Sequence, residues 1–404
     1  MKQFQIPEFY RSPIISKVKA KRKLEDPRKK DFTPTILDFG KVRFLISRHF
    51  GFCYGVENAI ERAYRAIDEN PGKRIFLLSQ MIHNPDVNED LLANGIRFLQ
   101  DTTGKQLIDF DTLTKNDIVL IPAFGTTIDI ENLLISKGID VQKYNTTCPF
   151  VEKVWNRSEK LGESDHTILI HGKYNHEETR ATFSRSSQFA PSLILKDLDE
   201  AKLLAEYIRG EKDFQEFSID FEGRFSQDFN PFLHLNKIGV VNQTTMLATE
   251  TQEITDFIRG VMIEKFGENE IKNHMADTRD TLCYATNDNQ SATIGLMDYE
   301  ADLGIVVGGY NSSNTTHLVE LMETKYPVYF IKGPSELISK QEINYYDIHK
   351  KEIFNHLNYL PNKEIINIAI TSGASCPDSI MDRVIHRILD VLEVQISLED
   401  IYAE

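Results

Sequence analysis

One pattern is written three times along this chain, and it constrains the fold more than any other feature. A cysteine opens each copy: Cys53 in GFCYGVENAI, Cys148 in TTCPFVEKV and Cys283 in TLCYATNDNQSA. A second polar loop follows after 30, 28 and 29 residues, at His83 in MIHNPDVNEDLL, His176 in NHEETRATF and Ser312 in YNSSNTTHLVEL. A third closes each copy: AFGTTIDIENLL at 123–134, NQTTMLATETQEI at 242–254 and SGASCPDSIMDRVI at 372–385. Scattered cysteines would not hold that interval three times. The step to the third loop varies more, and the extra residues fall in polar stretches near 209–234 and 335–360, which read as surface insertions.

Short apolar runs punctuate the copies: RFLIS, RIFLLS, DIVLIPA, TILIHG, KIGVVN, DLGIVVGG and IINIAIT. They are rich in Ile, Val and Leu, end in small or polar residues, and alternate with helical patterns. That is how buried parallel strands read, because helices cover both faces of their sheet. The expected fold is α/β, with three similar α/β units of mostly parallel sheet arranged pseudo-threefold around a central iron–sulfur cluster. The expected boundaries are an N-terminal extension at 1–40 and units at 41–147, 148–275 and 276–404, one cysteine to each unit.

A chain of 404 residues has room for two or three such units. Its formal net charge of -15 argues against a nucleic-acid partner, since phosphate backbones repel such a surface. No stretch approaches the roughly 20 apolar residues needed to cross a bilayer. The opening MKQFQIPEFYRSPIIS lacks the basic-then-apolar order of a secretory signal, so a cytoplasmic location is expected. Against the overall acidity, eight basic side chains crowd between Lys17 and Lys30. They read as a solvated arm, or as a docking patch for an acidic electron donor.

Three thiolates from three units cannot complete a four-thiolate structural zinc site. They suit a [4Fe–4S] cluster with one iron not ligated by protein, an iron able to act as a Lewis acid toward a substrate oxygen. Zinc held by three thiolates and water remains the rival on ligand count. Cys376 falls where the other copies have no cysteine and is assigned a packing role. The other loop residues are donors: His83, His176, Thr244, Thr245, Ser312, Ser313, Asn314 and Ser375. At helix starts, with free backbone N–H groups beside them, they fit a diphosphate. Glu178 is the acid placed in such a loop, and a neighbouring diphosphate would keep its carboxyl protonated and able to give a proton. Glu177 competes for that role.

The ordered motifs GFCYGV, HNPDV, TCPFVEKV, NHEET, NQTTM, CYATNDNQ, NSSNT and SGAS resemble those of the 4-hydroxy-3-methylbut-2-enyl diphosphate reductase (LytB/IspH) family, from about residue 43 to 390. The resemblance implies reductive dehydroxylation of (E)-4-hydroxy-3-methylbut-2-enyl diphosphate to isopentenyl and dimethylallyl diphosphate, the last step of the methylerythritol phosphate route. It implies Cys53, Cys148 and Cys283 as cluster ligands, and His83, His176, Ser312, Ser313, Asn314 and Ser375 as diphosphate contacts. It also implies Glu178 as proton donor, the Thr244–Thr245 pair beside the substrate hydroxyl, and a ferredoxin or flavodoxin as electron donor. One departure stands out: many members carry a histidine where this chain has Phe124, which cannot donate a hydrogen bond. A non-catalytic iron–sulfur sensor and a zinc-dependent hydrolase are the alternative readings.

Overall fold

The computed structural model describes residues 4–227, 229–277 and 281–395. Three parallel sheets repeat one topology. Strand Ile75–Leu77 lies between Arg97–Phe98 and Ile118–Leu120; Thr167–His171 lies between Ser192–Leu195 and Ile238–Asn242; Leu303–Val307 lies between Val328–Ile331 and Ile366–Ser372. Every one of these pairs is parallel. In each copy the first strand is therefore central, with the second on one side and the third on the other. The strand order reverses between the first and third strands, and their carboxyl ends there form the crevice where open α/β sheets bind ligands. The second and third loops of each copy leave those two strands.

The outer strands Arg97–Phe98, Ser192–Leu195 and Val328–Ile331 are absent from the runs picked out in the sequence. The run RFLIS, expected to open the first unit, instead pairs as Val42–Ile46 in parallel with Ile366–Ser372, beside the third copy's sheet. Thr35–Asp38 adds to it antiparallel and completes a five-stranded sheet. The pairing is long-range, so local periodicity identifies the strand and not its neighbour.

The described residues fall into two compact units. One comprises 4–57, His83–Asn88 and 284–395 and holds the five-stranded sheet; the other comprises Asn58–Ile82 and the described part of 89–283 and holds both three-stranded sheets. The first unit's core gathers Phe44, Ile46, Ile305, Ile368, Val384 and Ile385 around its sheet. In the second, Leu169, Leu193, Val240, Ile254 and Ile258 form one cluster, and Phe76, Val119, Ile121 and Leu134 another. Each such side chain contributes about 1.5–3 kcal/mol on burial.

Two stretches depart from their sequence reading. The N-terminal segment is not a solvated arm. Ser12 Oγ caps helix Pro13–Glu25 by accepting the Ile15 N–H at 3.1 Å, and Ile15 and Val18 are buried where the helix packs on helix Asp378–Val391. Its apolar stripe is narrow, and dense lysines hide it from a compositional reading. The stretch near 209–234 is not a polar surface insertion either. Phe217, Phe221 and Phe229 are buried there, with Phe217 and Phe229 stacked at 5.3 Å. The stretch near 335–360 does carry a polar antiparallel hairpin, Glu342–Asp347 with Glu352–Leu357. Among the described residues, no helix is long and apolar enough to cross a membrane.

Candidate active site

Each cysteine stands at the start of a helix. Cys53 precedes Tyr54–Glu69, Cys148 is the N-cap of Pro149–Gly162, and Cys283 precedes Tyr284–Met297. All three are half-buried, while Cys376 is fully buried in the core of the first unit. Burial pushes the Cys376 thiol up, so it stays protonated and packs as an apolar group. Each of the other three donates its backbone N–H to a third loop: Cys53 to Ala374 O at 3.2 Å, Cys148 to Ala123 O at 2.9 Å, and Cys283 to Thr244 O at 3.3 Å. The first copy's cysteine thus docks on the third copy's loop, the second's on the first's, and the third's on the second's.

In the first unit the structure brings Cys53, His83, Ser312, Ser313, Asn314 and Ser375 onto two adjoining loops and the His83 segment. Ser375 Oγ–H donates to His83 O at 3.1 Å and lies 3.5 Å from Ser312 Oγ. The Ala374 N–H donates to Asn314 Oδ1 at 2.9 Å, which ties the second loop to the third. Ser312 caps helix Ser313–Glu323. Close approach is enforced by glycine: a side chain at Gly309 would strike His83 O, and one at Gly373 would strike Thr315. Ser313 Oγ and Asn314 Nδ2 are buried and have no hydrogen-bond partner among the described residues. Donors buried without acceptors carry a desolvation cost of about 1–3 kcal/mol each, which an anionic ligand would remove.

In the second unit the structure brings Cys148, His176, Glu178, Thr244, Thr245 and Cys283 into one neighbourhood. His176 is the N-cap of helix Glu177–Ser186, its Nδ1 accepting the Glu178 N–H at 3.2 Å. The proton of the neutral ring therefore resides on Nε2. Phe124 packs edge-on against the His176 ring at 5.5 Å, so the residue that cannot donate instead braces one that can. The third loop reaches this position because Gly125, at φ +78°, lies against Trp155, whose ring a side chain would meet at 2.6 Å.

The two acids separate by geometry. Glu177 accepts from Ser79 Oγ–H. Glu178 is 1% exposed, and its carboxylate accepts both the backbone N–H of Thr244 and, at 3.0 Å, the Thr244 hydroxyl. Burial raises the Glu178 pKa to about 7 against the lowering effect of those two bonds. Thr245 is held from behind, its Oγ1 accepting Gln243 Nε2–H at 2.7 Å.

Sequence reasoning missed the residues that hold these loops. Gln243 Oε1 accepts from Thr179 Oγ1–H at 2.9 Å and from the Lys173 N–H at 3.2 Å, joining the second copy's two loops. Asn242 Oδ1 accepts the Thr281 N–H at 2.8 Å, fastening the approach to Cys283. Asn145 Oδ1 accepts the Thr147 N–H at 2.9 Å just before Cys148. An Asn shortly before a cysteine loop, and another closing a strand, were the available signals. Among the described residues no three His, Cys, Asp or Glu are gathered as ligands of a metal ion; what the three cysteines share is an equivalent position at a helix start.

The family model described as LytB protein matches residues 44–389. The 4-hydroxy-3-methylbut-2-enyl diphosphate reductase of Prochlorococcus marinus (strain AS9601) is 37% identical over 387 residues, 96% of this chain and 92% of the relative. The reductase of the same name from Synechococcus sp. (strain WH7803) is 38% identical over 358 residues, 88% of this chain and 87% of the relative. Among solved structures, the E-1-hydroxy-2-methyl-but-2-enyl-4-diphosphate reductase from Plasmodium falciparum shares the fold with a TM-score of 0.60. It is 23% identical, over 86% of this chain and 87% of that one.

Proposed function

We infer the role of each site residue from the fact that this chain belongs to the LytB protein family. It is an oxidoreductase of the methylerythritol phosphate pathway, reducing 4-hydroxy-3-methylbut-2-enyl diphosphate. Two electrons and two protons enter, the C–O bond at the hydroxyl-bearing carbon breaks, and water leaves with isopentenyl or dimethylallyl diphosphate as product.

Cys53, Cys148 and Cys283 would hold a [4Fe–4S] cluster with one iron not ligated by protein. Three equivalent thiols, each at a helix start and each seated on a neighbouring copy's loop, fit such a group. When bound, the cluster supplies electrons one at a time and a Lewis-acidic corner. The electrons come from a ferredoxin or flavodoxin, and the setting is the cytoplasm.

His83, His176, Ser312, Ser313, Asn314 and Ser375 bind the diphosphate. The buried Ser313 and Asn314 donors gain their missing acceptors, and the helix starting at Ser313 adds the positive end of its dipole. His176, whose Nδ1 accepts the Glu178 N–H, offers Nε2–H as a donor. Glu178 is the proton source. Its protonated carboxyl gives a proton to Thr244 Oγ as the threonine hydroxyl passes its own to the departing oxygen, while Thr245, held by Gln243, orients that oxygen. Thr244 and Thr245 thus carry and position the proton rather than supply it.

The observation that carries this reading is the Glu178–Thr244 pair: a buried acid that is half protonated near neutrality, bonded to a hydroxyl. A non-catalytic sensor has no use for one. Anaerobically purified protein given the diphosphate and a reduced viologen dye is expected to release both isomeric diphosphates. Absence of both products with an intact cluster would contradict the assignment.

A further inference from the structure

Helix Pro13–Glu25 and the turn after it concentrate positive charge on a chain whose formal net charge is -15. Part of that charge is structural. Lys19 pairs with Asp378 at 2.6 Å, Arg22 with Asp31 at 3.0 Å, and Lys29 with Asp288 at 3.4 Å. The remainder is not: Lys17, Lys21, Lys23, Arg28 and Lys30 are exposed, and among the described residues no carboxylate pairs with them. Among them Leu24 is 85% exposed, an apolar point inside a basic rim. Protein-docking patches combine those two features.

The same segment backs onto the loop of Cys53. Lys19 Nζ lies over the Phe50 ring at 4.5 Å, and a side chain at Gly51 would meet that Nζ at 2.9 Å. Tyr10 packs on Phe52 at 5.7 Å, and Phe4 on Tyr54 at 4.8 Å. Lys29 Nζ lies over the Tyr284 ring at 5.6 Å, and the Tyr284 hydroxyl accepts the Tyr54 N–H at 3.2 Å. Phe52 and Tyr54, which flank Cys53, are thus both covered by N-terminal residues.

We propose that the basic face of this helix is the docking surface for a small acidic electron-carrier protein, which delivers electrons by way of the Cys53 loop. The proposal rests on the reductase reading above. Each docked carrier is oxidised by one electron, and two encounters complete a turnover. A carrier bearing surface carboxylates would be steered to this patch and repelled by the acidic remainder. Nucleic acid, the other polyanion, must approach that same acidic remainder and lacks an apolar group to set against Leu24.

The test is a variant with Lys17, Lys21, Lys23, Arg28 and Lys30 all changed to Glu, prepared anaerobically as the cluster-loaded protein. None of these residues belongs to the catalytic or binding machinery. Its Kd for an acidic [2Fe–2S] ferredoxin is measured across salt concentrations, beside turnover driven by reduced ferredoxin and by reduced viologen. Binding is expected to weaken by about tenfold or more and to lose its salt dependence. Turnover at limiting ferredoxin should fall in parallel, with viologen-driven turnover unchanged. An unaltered Kd and salt slope would overturn the proposal. So would a short duplex DNA competing with ferredoxin for the wild-type patch at equal charge. If the variant fails to fold, Gln replacements at the same five positions should give the same result in smaller measure. Wild-type protein inert toward viologen would count against the reductase reading, and the binding measurement would still decide the docking surface.

Discussion

The backbone N–H of Cys53 donates to the carbonyl of Ala374 at 3.2 Å. Some 320 residues of chain separate the two, yet Cys148 makes the same bond to Ala123 and Cys283 to Thr244. Each copy's cysteine is seated by another copy's third loop, in cyclic order. A repeat visible as spacing in the sequence is thereby also a repeat of hydrogen bonding.

Replacing Glu178 with Gln keeps the shape and the bond to Thr244 but removes the transferable proton. Turnover is expected to fall about 10²–10⁴-fold, the usual contribution of a positioned general acid, with the visible spectrum of the cluster unchanged. Steady-state rates with reduced viologen check this. Normal turnover would leave Glu178 as a helix-start residue only.

The same substitution alters how stability depends on pH. The Glu178 pKa is raised from 4.5 to about 7, so its protonated form is favoured in the folded state. Its stabilising contribution is full below about pH 4.5 and is lost as pH rises through 7, by on the order of 3 kcal/mol. Denaturant midpoints measured from pH 5 to 8 should fall more steeply for wild type than for Glu178→Gln. Parallel curves would contradict the raised value.

Phe124 braces His176 edge-on at 5.5 Å. Such ring pairs are worth about 0.5–1.5 kcal/mol, so Phe124→Ala should raise KM by up to about tenfold and leave kcat nearly intact. Inhibition by inorganic diphosphate should weaken equally. A loss confined to kcat would mean that Phe124 serves the proton path instead.

Ser313 Oγ is buried without a partner among the described residues. Ser313→Ala deletes a group that costs stability when no ligand is bound, so the free protein should melt at the same temperature or slightly higher, by up to about 1 kcal/mol of stability. KM for the diphosphate should rise at the same time. A destabilised variant with unchanged KM would make Ser313 a structural residue.

Much of this was legible in advance because it is local. Cysteine, histidine and serine loops follow apolar runs at fixed intervals, and a strand-to-helix loop needs few residues to declare itself. Phe124 was visible as an odd residue, but its contact with His176 lies 52 positions away and could not be read. Val42–Ile46 was recognisable as a strand, whereas its partner Ile366–Ser372 is distant in sequence and set by packing. Gln243 and Asn242 looked like ordinary polar residues, since what distinguishes them is burial between two loops. Lys17 to Lys30 concealed the stripe of Ile15 and Val18 that seats the first helix.

The account stands on three equivalent cysteines serving one inorganic group. Iron and acid-labile sulfide, counted per chain in anaerobically purified wild type and in Cys53→Ser, Cys148→Ser and Cys283→Ser, test that most directly. Wild type should hold about four of each, and every one of the three variants should lose the cluster's visible absorbance, while Cys376→Ser keeps it. A full complement of iron and sulfide in any of the first three variants would contradict the claim.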